Sequence, residues 1–284
     1  MTVPPSAGPP RDGPYEPAGW EPIRAVLFAD PFLAASADDF VHRLREHPSI
    51  ELLAVYCQGP GPGSLARLHD LWRRRGPLGL VIALTEAGAG AVRIVFRSGR
   101  HRRRREALSA IRVVPDLHAP DILEQVRRLD PDLGLVYGGP ILKPELFRIP
   151  KIGTLGIHHG RLPEYRGKKT TFWEMFNGEA LAGITIQSID AGIDTGRVIA
   201  RSAVPIERKS YSRVWRDVQE VGVALFIDAV LRTAAGEPGT GAGDAHEAAP
   251  RKPGPLYRDP KPAQLLRFWL KRLPGRRRRT SEPA

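Results

Sequence analysis

Cysteine is almost missing from this 284-residue sequence; Cys57 is the only one. A single thiol excludes an internal disulfide framework and offers no paired spacing for a metal. Cys57 closes the apolar run Leu52–Cys57 and reads as a small buried hydrophobe. No other cluster implies a metal. Long hydrophobic runs are missing too. The longest apolar window, Leu78 to Phe96, is broken by Glu86, Arg93 and several glycines, which makes it a poor membrane span. The first twenty residues lack the apolar core of a signal peptide and are rich in Pro and Gly, so 1–20 is expected to be a disordered leader. The expected location is cytoplasmic, with the inner face of the membrane as a peripheral variant.

Acidic residues are outnumbered, 31 against 43 Lys and Arg, and the net charge is +12. The excess gathers at Arg73–Arg75, at Arg100–Arg105 around His101, and from Lys271 to Arg279. Such clusters are either solvated surface or attraction to phosphate. Aromatic residues are not interleaved with the arginines, as a stacking platform for single strands would require. Among phosphate-bearing partners, a membrane surface or a phosphorylated small molecule therefore ranks above nucleic acid.

The remaining pattern alternates short apolar runs with amphipathic ones. Ile23–Ala29, Ile50–Cys57, Ile111–Val114, Leu133–Tyr137 and Ile152–Ile157 read as strands. Helices are expected over 37–47 and 119–129, with one or two turns over 141–147. No G-x-G-x-x-G follows the first strand, which removes a dinucleotide fingerprint. The fold class is α/β, a Rossmann-like, mostly parallel open sheet. Residues 21–236 form one domain, interrupted by a basic insertion at 64–110. Within it Leu65–Arg75 is an amphipathic helix, lying either on the core or on a membrane. Residues 237–255 are a linker and 256–284 a basic, partly helical tail that either docks on the core or meets a membrane.

The densest mixture of reactive and turn-forming residues runs from Gly156 to Gly196. His158 is expected just after a strand, and Asp194 follows 36 residues later in a turn beyond the strand Ile184–Ile189, with a helix over 170–177 between them. A histidine beside a carboxylate is oriented and kept cationic, as proton transfer near neutral pH requires. The same spacing also suits a structural histidine and an unrelated capping aspartate. Trp173, spaced with Phe172 and Phe176, reads as core. Lys168 and Lys169 suit either a substrate phosphate or solvent.

Three motifs narrow this. Gly156-Ile157-His158, Leu162-Pro163-Glu164-Tyr165-Arg166-Gly167 and Ile193-Asp194-Thr195-Gly196 stand at the mutual spacing of the Asn-x-His, Leu-Pro-x-x-x-Gly and Leu-Asp-x-Gly motifs of formyltransferases that use 10-formyltetrahydrofolate. Residues 111–206 resemble that family, which implies a sheet of the formyltransferase type. The resemblance implies His158 as acid/base and oxyanion group and Asp194 as the residue that sustains its charge. It implies a folate pocket at Gly138, Gly139, Pro140, Ile141 and Leu142 with Asp190 and Gly192, and substrate contacts at Tyr165, Arg166, Gly167 and Lys168. The family's asparagine, which bonds the formyl oxygen, is replaced here by Gly156. Loss of one oxyanion donor costs about 2.7–4 kcal/mol. His159 and Asn177 are the candidate stand-ins.

The implied activity is N-formyl transfer from 10-formyltetrahydrofolate, without a metal, to an amine on a small molecule. A formyl hydrolase and a catalytically impaired folate- or sugar-binding module are the alternatives. The family's tRNA-directed members carry a C-terminal β-barrel, for which the residues after Ile206 show no alternating strands. The expected acceptor is an amino sugar linked to a nucleotide or a lipid phosphate, with a peripheral membrane contact through the basic clusters.

Overall fold

A computed structural model describes residues 21–29, 34–58, 111–138, 141–237 and 254–272. The expected leader, the basic insertion with its helix at 65–75, and the pocket residues Gly139 and Pro140 lie outside the described residues.

Five apolar segments form parallel strands: β1 (Ile23–Ala29), β2 (Ile50–Gln58), β3 (Ile111–Val114), β4 (Leu133–Tyr137) and β5 (Gly153–His158). Two long antiparallel strands, β7 (Leu181–Ser188) and β8 (Val198–Pro205), extend the sheet beyond β5. The order across the sheet is β3-β2-β1-β4-β5-β7-β8. The chain thus winds outward from β1 to β3, then returns to place β4 on the other side of β1. Such a reversal opens a crevice at the carboxyl ends of the strands, where ligands of open α/β sheets bind.

Alternation along each strand feeds two cores. Ala25, Leu27, Leu135, Leu155 and Ile157 face one layer, where Phe40 and Leu44 of α1 (Ala34–Glu46) meet Val218 and Phe226 of α5 (Tyr211–Ala234). Val26, Phe28, Tyr56 and Val136 face the other, against Ile122 and Val126 of α2 (Pro120–Leu129) and Leu146 and Phe147 of α3 (Pro144–Phe147). Both faces of β1 and β4, the central parallel strands, are covered by helices. Helix α5 starts where the Ser210 hydroxyl accepts a hydrogen bond from the Arg213 N–H. Its buried positions Val214, Val218, Gly222, Phe226 and Val230 recur every fourth residue, one stripe of an α-helix.

Helix α4 (Thr170–Asn177) has the bounds its sequence predicts, and Trp173 is buried in the core. The segment at 141–147 is a single turn, because Pro144 permits the helix only from that residue onward. Strand β5 ends on His158 itself rather than before it.

The tail docks on the core. Leu256–Tyr257 forms β9, pairing in parallel with the two-residue strand β6 (Arg166–Gly167). Helix α6 (Pro262–Arg272) follows and buries Phe268 to 2% exposure against Phe172 and Tyr211. The Trp173 indole donates to the Arg258 carbonyl at 2.9 Å, and the rings of Tyr165 and Tyr257 stack 5.2 Å apart. Burial of the aromatics gives this arm its hold; a fully buried Phe is stabilising by about 1.5–3 kcal/mol.

Candidate active site

Strand β5 delivers His158 to the carboxyl rim of the sheet, where the side chain is almost wholly buried. Asp194 arrives from the far side. β7 runs antiparallel to β5, so its last residue pairs low on the strand, Ser188 opposite Leu155. The chain then doubles back over the sheet face, and Asp194, in the left-handed region at φ 51°, turns its carboxylate to the histidine. His158 Nδ1 lies 3.2 Å from Asp194 Oδ1.

Two further contacts fix that carboxylate. The Gly167 N–H donates to Oδ2 at 2.7 Å and the Gln187 amide to Oδ1 at 3.0 Å. Burial alone pushes the Asp194 pKa up, but the hydrogen bond and charge of His158, with the Gly167 and Gln187 donors, outweigh it. The carboxyl is held below its usual range. Gly167 has φ 95°, and a Cβ there would run into the Tyr257 carbonyl, so the position takes glycine for both reasons.

The other ring nitrogen is also occupied. His158 Nε2 lies 2.6 Å from the carbonyl oxygen of Tyr165. With a carboxylate on one side and a carbonyl on the other, both nitrogens face acceptors, an arrangement that the doubly protonated ring satisfies. The loop carrying that carbonyl follows the cis Leu162–Pro163 bond and is anchored on a buried acid. Glu174 of α4 is fully buried and accepts the N–H groups of Arg161, at 2.9 Å, and Gly183, at 3.1 Å. Burial pushes its pKa up to about 7, against the opposing pull of those two N–H donors and of Arg161 and His158.

Other candidate residues are placed differently from expectation. The His159 ring turns to the opposite face of the sheet, as strand alternation requires. It packs on Trp215 and edge-on to Tyr137, with its Nε2 3.0 Å from the Gln219 amide nitrogen, whose oxygen accepts from the Tyr137 hydroxyl. Burial, then the charge of His158, pushes its pKa down to about 3, so it is a neutral packing group there rather than part of the pair. Asn177 sits at the last turn of α4 and donates to the hydroxyls of Tyr165 and Tyr257, both at 3.2 Å, which occupies its amide group away from the histidine. The Tyr165 side chain is buried under Tyr257 and bonds Glu179 at 2.7 Å, so it contributes its carbonyl, not an open ring. Arg166 spends its guanidinium on the Ile193 carbonyl, at 2.6 and 3.0 Å, tying the two site loops together. Lys168 extends into solvent, 3.7 Å from Asp259.

Of the expected pocket, Gly138 adopts φ 58° after β4, Leu142 is buried and Ile141 is exposed. Asp190 accepts the Gly192 N–H and the Thr195 hydroxyl, which shapes the 190–196 turn. Gly156 has a packing role. A Cβ there would lie 2.6 Å from Ile189 Cδ1, so the space beside the histidine strand that an asparagine would fill is taken by Ile189.

Two participants escaped the sequence reading. Glu174 is marked only as an acid among the buried residues of a short helix. Gln187 is marked only as a polar residue within the strand segment Ile184–Ile189. It is buried, and its Oε1 has no hydrogen-bond partner among the described residues. That bare acceptor, next to Asp194, suits an N–H of a bound donor or acceptor molecule.

Comparison with known proteins fits this geometry. Residues 95–230 match the family model described as formyl transferase. The chain is 43% identical over 91 residues to the methionyl-tRNA formyltransferase of Geobacter sulfurreducens, covering 32% of this chain and 29% of that one. It is 34% identical over 137 residues to that of Geobacter metallireducens, covering 43% and 44%. The chain thus spans less than half the length of these curated relatives. The fold is shared with solved structures. Phosphoribosylglycinamide formyltransferase from Brucella melitensis matches with a TM-score of 0.53 at 20% identity, covering 76% of this chain and 97% of that one. Glycinamide ribonucleotide transformylase 1 from Symbiobacterium toebii matches with a TM-score of 0.53 at 17% identity, covering 77% and 90%.

Proposed function

We propose that this protein, whose residues 95–230 match the formyl transferase family model, moves a formyl group from 10-formyltetrahydrofolate to the amine of a small, phosphate-bearing acceptor, an amino sugar linked to a nucleotide or a lipid phosphate. The observation that carries the reaction is the buried His158–Asp194 pair at 3.2 Å. Transfer forms a bond between the amine nitrogen and the formyl carbon and breaks the bond from that carbon to N10 of the folate. Negative charge gathers on the formyl oxygen between the two steps. A cationic His158, sustained by Asp194, offers an N–H to that oxygen once the Tyr165 carbonyl gives up Nε2. The proton lost by the amine ends on the departing nitrogen, and the ring is the group placed to pass it.

The chain's residues suit a folate donor through the unpartnered acceptor of Gln187 beside Asp194 and the backbone turn at Gly138. The acceptor class is supported by the net charge of +12 and by exposed Lys168 and Lys169 at the end of the loop that holds Tyr165. The sequence likeness to methionyl-tRNA formyltransferases favours an aminoacyl-tRNA as the second reading.

Tetrahydrofolate release by the full chain, measured with amino-sugar nucleotides, free amino sugars, methionyl-tRNA and no amine, separates these. Release that depends on an amino-sugar phosphate and vanishes in His158→Ala is the expected result. Release with methionyl-tRNA alone selects the second acceptor, and release with formate but no amine selects hydrolysis. Unchanged release in His158→Ala removes the histidine from the chemistry.

A further inference from the structure

The outer face of α6 carries Leu266, Trp269 and Leu270, exposed at 61%, 56% and 43%. Their i, i+3, i+4 spacing makes one stripe, while Phe268 on the other side anchors the helix in the core. Large apolar side chains exposed together on one helix face mark an interaction site.

Charge selects the partner. From Lys261 to Arg272 the sequence holds Lys261, Arg267, Lys271 and Arg272, and not one Asp or Glu. Lys271 and Arg267 flank the stripe with their charged ends 5.1 and 5.9 Å from the Phe176 ring centre. Arg272 donates to the Lys209 carbonyl at 2.7 Å and fixes the last turn of the helix. A second copy would set this cationic face against itself. A nucleic acid would meet the cations but leave Leu266 and Leu270 in water. An anionic lipid surface satisfies both, with acyl chains for the Leu-Trp-Leu stripe and phosphates for the bases.

We propose that α6 seats the protein on an anionic lipid surface through Leu266, Trp269 and Leu270, held by the basic residues beside them. The arm that carries α6 also carries β9, which pairs with β6 in the loop holding the Tyr165 carbonyl. The arm proposed to meet the lipid is thus the same arm that holds the candidate site's loop. The corollary that the acceptor amine is itself lipid-linked rests on the proposed function; the docking does not.

The test is co-sedimentation of the full chain with phosphatidylcholine vesicles, with and without about 30 per cent phosphatidylglycerol, at about 50 mM salt. Binding to the anionic vesicles alone is expected, falling about tenfold in Leu266→Gln/Trp269→Gln and weakening as salt rises. The side chains replaced are largely exposed, and a thermal midpoint equal to wild type shows that the variant folds. A second variant, Lys261→Ser/Lys271→Ser, is expected to weaken binding to the anionic vesicles while leaving the apolar stripe unchanged. Three results overturn the proposal: no binding to anionic vesicles, equal binding by the Gln variant, or a wild-type dimer in solution that the Gln variant dissociates. Tighter binding to a short RNA than to the vesicles, lost in the Gln variant, overturns it as well. Formyl transfer to a soluble amine is expected to be the same in wild type and the Gln variant. Failure of docking and failure of the proposed reaction are thus read separately.

Discussion

The carbonyl oxygen of Tyr165 stands 2.6 Å from His158 Nε2, while Asp194 stands 3.2 Å from Nδ1 of the same ring. The histidine is therefore gripped from both ends, and in the proposed reaction the grip at Nε2 must loosen before that nitrogen can serve a formyl oxygen. His158→Ala is expected to lower kcat by about 10²–10⁴-fold. Asp194→Asn should fall within the same range and retain the fold, because Asn tolerates the left-handed backbone at φ 51°. Asp194→Ala should melt earlier than Asp194→Asn in a thermal scan. Steady-state kinetics beside calorimetry check both.

Gly156→Asn should cost stability, about 1–3 kcal/mol, because its Cβ meets Ile189 Cδ1 at 2.6 Å. Ile189→Val removes that methyl and nothing else. The double variant should be more stable than the sum of the single changes allows, and should turn over faster than wild type as a donor returns beside the histidine. Denaturant titration of the four proteins measures the coupling. Strict additivity would mean that Ile189 is not what occupies the space.

Glu174 sets a pH dependence of stability. Its folded pKa is raised to about 7 by burial, above the unfolded value near 4.5. The folded protein then holds the proton more tightly, so its stability is full below about pH 4.5 and declines as pH rises toward 7, by about 3 kcal/mol in all. Glu174→Gln should flatten that stretch of the stability curve. Asp194 has the opposite sign. Its folded pKa is depressed, so its contribution is present above the unfolded value near 4 and is lost as pH falls through the folded one. Chemical denaturation across pH 3 to 8 resolves the two slopes.

Phe268→Ala should release the arm. Truncating a buried Phe costs about 3–5 kcal/mol. Here it also frees Tyr257 from Tyr165 and the Tyr257 carbonyl from the Lys168 N–H, 3.0 Å away. A lowered melting temperature with faster amide exchange at Gly167 and Lys168 is the expected signature.

The sheet was legible because its strands are apolar on both faces and its helices repeat every fourth residue; β4 and α4 have the bounds the pattern predicts. Spacing alone left the pairing of His158 with Asp194 open; it was legible through the resemblance of the three motifs, since both are side chains with a chemical identity. What stayed hidden had no such mark. A backbone carbonyl such as that of Tyr165 is the same atom in every residue. Strand β9 has two residues, too few for a period. The direction of the Asn177 amide and the burial of the Tyr165 ring depend on Tyr257, which is far away in the chain. His159 shows the reverse case: strand alternation already turned it from its neighbour, and Trp215 and Gln219 supply the reason it stays there.

The pairing of β6 with β9 also bears on the order of biosynthesis. A chain emerging from the ribosome presents β5, α4 and the loop between them long before Leu256 and Tyr257 exist. During that interval Tyr165 lacks the ring that stacks on it, and Trp173 lacks the carbonyl that receives its indole N–H. The loop that grips His158 reaches its final form only as the arm closes over it. The candidate site would then be completed only once the arm is made, and a ribosome stalled before Leu256 would hold the site loop without its Tyr257 contacts.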